Sequence, residues 1–113
     1  MSARLPARLI VTALMRRAQA EGGSAAVLAR GDDQAGAVLL IVAQRGEITR
    51  IIERGHDLDG AELWRDAAPQ VLEGKADLND YLTRRRHADP DLWAVELDIA
   101  DSQRFIAETI ASN

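Results

Sequence analysis

The chain contains no cysteine. Disulfides, thiolate metal sites, iron–sulfur ligation and a cysteine nucleophile are therefore excluded together. Histidine is nearly as scarce: His56 and His87 stand alone, with neither H-x-x-x-H nor H-E-x-x-H spacing. A zinc site would need both to converge with a carboxylate from separate loops, so no metal is expected. No G-x-S-x-G elbow is present for a serine nucleophile. Long apolar runs are also missing, and none reaches the ~18 residues of a membrane span. The stretch 9–15 is short, flanked by Arg8 and Arg16, and lacks a small-residue cleavage site. Neither a span nor a signal peptide is expected, and the reading is a cytoplasmic protein.

What is there suits one soluble domain. A length of 113 residues falls in the single-domain range, so residues 1–113 are expected to share one core. The apolar fraction is 47%, yet 20 of those residues are alanine, which leaves few large core-formers. The net charge of −4 disfavours a general nucleic-acid binder, because phosphate contact requires a basic surface. That charge is uneven. Residues 1–31 carry Arg4, Arg8, Arg16, Arg17 and Arg30 against Glu21 alone, whereas residues 87–113 carry six acids against Arg104. Such ends attract, so they are expected to lie near each other in the fold or across an interface. Thirteen arginines to one lysine is the bias of a GC-rich genome.

Pro6 suits a first helical turn. From there to about Glu21, Leu9, Ile10, Ala13, Leu14 and Ala18 recur at helical spacing, and Gly22-Gly23 ends the helix. Strands are expected over residues 24–30, 37–43, 48–54 and 62–65. Residues 37–43 form a continuous apolar run, the pattern of a central strand covered on both faces. Turns fall at residues 31–36, at Arg45-Gly46 and at Asp59-Gly60. Four strands on short connections imply an antiparallel meander. Residues 67–75 carry no pattern and read as a loop. Asp77 opens a second helix as N-cap, with Leu78, Tyr81 and Leu82 buried. Trp93, Val95, Leu97 and Ile99 alternate with Ala94, Glu96 and Asp98 in a fifth strand. Asp101 then caps a last helix with Phe105, Ile106 and Ile110 inward.

Two loops imitate ligand motifs and fail on chemistry. Gly31 to Gly36 has phosphate-loop spacing, but Ala37 and Val38 replace the required Lys and Ser/Thr, and Asp32 and Asp33 repel phosphate. Residues 56–60 faintly resemble a calcium loop. With Asp57 and Asp59 as its third and fifth ligands, the first position falls on Gly55 and the twelfth on Asp66.

One segment concentrates chemistry. Residues 81–93 pack Arg84, Arg85, Arg86, His87, Asp89, Asp91 and Trp93 around a helix-to-strand corner. Arginines supply anion donors and a tryptophan supplies a stacking face, so Arg84, Arg86, His87 and Trp93 are the candidate ligand contacts. Against this, successive helical residues point about 100° apart, which fans the three arginines out. Arg84 can pair with Asp80 at i,i+4. Arg85 falls on the buried side and needs a partner, for which Glu96 is the candidate.

The same corner, with Tyr81-Leu82, Arg84-Arg85-Arg86, Asp89-Pro90-Asp91-Leu92-Trp93 and Glu96-Leu97, resembles the family designated domain of unknown function 1491. Gly31-Asp32, Ala35-Gly36, Val38-Leu39-Leu40, the opening Arg4-Leu5-Pro6-Ala7 and Arg16-Arg17 extend the resemblance over nearly the whole chain. Its members are small proteins of alphaproteobacterial genomes. The resemblance implies membership and brings no catalytic residue, cofactor or partner. Residues 71–76 are longer than it leads one to expect.

The sequence therefore predicts a single α+β domain, order α-β-β-β-β-α-β-α. About five strands form a mainly antiparallel sheet, with three helices packed on one face. The function expected is a non-enzymatic binding or accessory module, self-associating as a homodimer or meeting a protein partner, without cofactor. The thin stock of large apolar residues makes extra burial in a dimer useful. The alternative is recognition of a phosphorylated ligand or RNA through residues 84–93. A third reading is a small hydrolase using Asp89, Asp91 and His87.

Overall fold

A computed structural model describes residues 5–111, with side chains over residues 5–109. Arg4 and the side chain of Ile110 lie outside these residues. Helix α1 (Ala7–Ala20) is followed by β1 (Ser24–Ala29), β2 (Val38–Gln44), β3 (Glu47–His56) and β4 (Glu62–Asp66). Then come α2 (Pro69–Leu72), α3 (Leu78–Ala88), β5 (Trp93–Asp98) and α4 (Ser102–Ala111). The single turn α2 occupies the stretch expected as a loop.

The strands form one five-stranded mixed sheet in the order β1-β5-β2-β3-β4. β2, β3 and β4 form the expected antiparallel meander. β1 does not join it. β5 lies between β1 and β2, antiparallel to the first and parallel to the second. The segment 31–36 is thus no hairpin but a bridge over the start of β5, which corrects the four-strand meander.

The glycines of that bridge explain how β5 is seated. A Cβ on Gly31 would stand 2.1 Å from the Asp91 carbonyl oxygen, and one on Gly36 would stand 2.2 Å from the same atom. Only glycine lets both ends of the loop approach one backbone oxygen so closely. Asp32 N–H donates to that oxygen at 3.0 Å, and Trp93 N–H donates to the Ala37 carbonyl at 2.8 Å. The Asp32 carboxylate accepts from the N–H groups of Gln34 and Ala35, which holds the loop's turn.

β2 explains the layers. Val38, Leu40 and Val42 point into one core with α1, Trp64, Trp93, Phe105 and Ile106. Leu39 and Ile41 point into another with Ala68, Tyr81, Leu82 and Leu92. Its apolar run does mark a strand covered on both faces, as its composition predicts. The helices accordingly lie on both faces of the sheet: α1 and α4 on one, α2 and α3 on the other. The expectation of one covered face fails because the run at residues 38–43 needs two.

The register of α1 also departs from expectation. Its buried stripe is Ala7, Val11, Leu14 and Ala18, while Leu9 is 45% exposed. The small Ala7 and Ala18 let the helix approach the sheet, which turns the bulkier Leu9 outward. The two ends do meet, but through their minority charges. Arg104, the lone arginine of the acidic segment, bonds Glu21, the lone acid of the basic one, at 3.0 Å. Arg17 donates to the Phe105 carbonyl while stacking over its ring.

Candidate functional site at the arginine corner

Helix α3 begins where Asp77 accepts a hydrogen bond from Asp80 N–H at 3.2 Å, the N-cap that the sequence predicts. Tyr81 and Leu82 anchor its inner face. The helix ends at the turn Asp89-Pro90-Asp91. There Asp89 Oδ1 accepts from Asp91 N–H and the Asp89 carbonyl from Leu92 N–H.

Arg85 is a structural group. Its Nη1 donates to Glu53 Oε1 at 2.8 Å and to Tyr81 Oη at 2.9 Å. The hydrogen bond to the Glu53 carboxylate raises the guanidinium pKa above its already high ordinary value. Its partner is Glu53 on β3 rather than Glu96, because α3 crosses the sheet over β3.

The other candidates separate. Trp93 is 3% exposed and lies in the α1/α4 core, on the face of the sheet opposite α3. Its Nε1 donates to the Asp32 carbonyl at 2.7 Å, and Arg30 lies over its ring at 5.5 Å. Arg84 lines a recess at the start of α3 with Lys75, Asp77, Asp80 and Thr83. The expected Asp80–Arg84 ion pair is not among those of the described residues. Arg86 lies beyond Thr83, in a groove between α3 and β1 lined by Leu28, Ala29, Asn79 and Leu82. His87 is exposed. Arg84 and Arg86 thus flank Thr83 without sharing a recess, and Trp93 joins neither.

Arg86 differs from its neighbours. Its Nε is covered by protein and has no hydrogen-bond partner, and no ion pair of the described residues includes it. For a guanidinium donor, that is an unfavourable state. Among the described residues no three His, Asp or Glu side chains gather to hold a metal ion.

The groove escaped the sequence reading. Its β1 wall ends an uncharged strand in which Val27 is 44% and Leu28 43% exposed. The signal was available as six residues, Ser24–Ala29, with no charge and no proline.

The comparisons with known proteins agree with one another. The model of the family described as "Protein of unknown function (DUF1491)" matches residues 5–107. A DUF1491 family protein from Caulobacter crescentus CB15 is 34% identical. Its crystal structure matches with a TM-score of 0.68, covering 90% of this chain and 94% of that one. The NMR structure of a DUF1491 family protein from the same organism matches at 0.75, also 34% identical, with coverage of 92% and 94%. The solution structure of protein Atu0922 from A. tumefaciens is 27% identical over 88% of this chain and 89% of that one, at 0.58. No curated protein matches the chain.

Proposed function

The chain belongs to the DUF1491 family, whose function is unknown, and from its own geometry we propose a non-enzymatic binding module that self-associates through the free edge of β1. The observation that carries this reading is the character of that edge. β1 pairs only with β5, so its outer row of backbone donors and acceptors faces outward. Natural edges are usually blunted by lysine, proline or inward charge, and Ser24–Ala29 has none of these. Its protection is a single bulge between Val27 and Ala29.

A second copy is the natural occupant. Antiparallel pairing of two β1 strands extends the sheet across a two-fold axis and brings Val27 and Leu28 of both copies together. A cytoplasmic setting belongs to the same reading. It draws on the cysteine-free composition, and no described helix is long and apolar enough to cross a membrane.

Sedimentation velocity on the full chain tests the proposal. The sedimentation coefficient should rise from low to high micromolar concentration, and Val27→Lys and Leu28→Lys should each abolish the rise. A wild type that stays monomeric at high micromolar concentration overturns it.

The alternative, recognition of a phosphorylated ligand or RNA at the corner, contracts to Arg86 with His87 beyond it. Trp93 is committed to the core, and Arg84 shares its recess with Asp77 and Asp80. What favours the alternative is the unpartnered Arg86 Nε. A nucleotide or short RNA that raises the melting temperature of the wild type, and not of Arg86→Ala, would support it.

A further inference from the structure

The groove beside Arg86 combines an apolar floor with one unanswered cation. Its volume is about 500 Å³. Leu28, Ala29 and Leu82 supply the apolar surface, while Asn79, Thr83 and Arg86 come from one face of α3 at i, i+4 and i+7 spacing. The Thr83 hydroxyl is already spent on the Asn79 carbonyl at 2.9 Å. The nearest arginine, Arg85, has taken Glu53. Arg86 therefore stands at the groove wall with a dry, unpartnered Nε donor.

We infer that this groove binds a small carboxylate with an aliphatic tail. The inference takes from the second reading above only its site, Arg86, and assigns that site a different anion. Binding requires the Arg86 side chain to rotate and uncover Nε, whereupon the Nε–H and an adjacent Nη–H match the two oxygens of a carboxylate. The rotation gives the unbonded donor an acceptor. The tail covers Leu28, Ala29 and Leu82. A phosphate dianion suits the site less well, since one arginine over apolar surface cannot replace its hydration.

The test is a titration of the isotopically labelled full chain followed by NMR, reading the Arg86 Nε–Hε signal and the Leu28 and Leu82 methyls. Octanoate is the probe; acetate, inorganic phosphate and octyl phosphate are the comparison arms. Octanoate should move all three signals saturably and bind at least about tenfold more tightly than acetate, since each buried methylene adds affinity. Arg86→Gln should weaken octanoate by about tenfold or more, and Arg84→Gln should leave it unchanged. If octyl phosphate or inorganic phosphate binds at Arg86 and octanoate does not, the carboxylate inference falls while the phosphorylated-ligand reading stands. Acetate matching octanoate reduces the site to an adventitious ion only and overturns the inference. If no probe moves the Arg86 signal, the carboxylate inference falls, and the phosphorylated-ligand reading is left to its own melting test.

Discussion

Arg54 and Arg50 lie four residues apart on β3, both pair with acids on β4, and the two pairs have opposite consequences. Arg54 is 3% exposed; its Nε bonds the Glu62 carboxylate and its Nη2 donates to the Leu5 carbonyl at 3.0 Å. Deleting the acid strands a desolvated charge, whereas replacing the arginine by an apolar chain removes the charge as well. Glu62→Ala should therefore cost about 2–4 kcal/mol and Arg54→Met distinctly less, measured by urea unfolding. The reverse order would show that the pair is not desolvated in solution. Arg50 donates to Asp66 at 2.8 Å, but the Asp66 side chain is 68% exposed. The hydrogen bond from Arg50 holds the Asp66 carboxyl below its ordinary 3.8. A depressed carboxyl contributes stability above its unfolded pKa and loses it as the pH falls through the folded value. Solvent screening limits that contribution to under about 1 kcal/mol. Asp66→Asn should be slightly less stable than wild type at neutral pH and equal to it well below pH 3.8, as urea melts at the two pH values would show. The need of Arg85 for a partner was legible in its helical position. The partner was not, because Glu53 comes within reach only through the placing of α3 over β3.

At the scale of elements, local pattern proved a good guide to where strands and helices lie and a poor one to how the strands are ordered. The apolar run of β2, the Asp77 cap and the alternation in β5 are written in neighbouring residues. The turn at Asp59-Gly60 is too, and Asp57 Oδ1 supports it by accepting from Asp59 and Ala61 N–H. The insertion of β5 between β1 and β2 is not local. It depends on the loop 31–36 meeting Asp91 and Trp93, some sixty residues away. These are also residues through which the chain resembles its family: Gly31-Asp32 and Ala35-Gly36 on one side, Asp89-Pro90-Asp91-Leu92-Trp93 on the other. What read as two motifs is one contact, and it builds the sheet. Gly36→Ala puts a Cβ 2.2 Å from the Asp91 carbonyl oxygen and 3.0 Å from the Asp32 carbonyl oxygen. Backbone on both sides cannot yield cheaply, so the cost should be about 2–3 kcal/mol or more. Fluorescence of the two buried tryptophans, Trp64 and Trp93, during unfolding reads this out. A variant as stable as wild type would mean that the bridge over β5 is loose.

For the molecule as a whole, strand order sets a gradient of stability that a meander would not produce. In the sheet β1-β5-β2-β3-β4, β2 is central, and residues Val38 to Ala43 are each no more than 1% exposed. β5 beside it carries ladders on both edges, one parallel and one antiparallel. The outer strands differ from each other. β4 presents Glu62, Arg65 and Asp66, charges that blunt an edge, whereas β1 presents none. Amide hydrogen exchange should consequently be slowest in β2 and β5 and markedly faster in β1 and β4 at low protein concentration, because edge amides open without global unfolding. The fifth strand in sequence would then be among the last to exchange, which a sheet with β5 appended at its margin does not allow. Raising the concentration should separate the two edges. If β1 strands pair between copies, protection should grow in Ser24–Ala29 and leave β4 unchanged. Equal protection of both edges at every concentration would remove self-association through β1. Slow exchange confined to β2 and β3 would contradict the strand order itself.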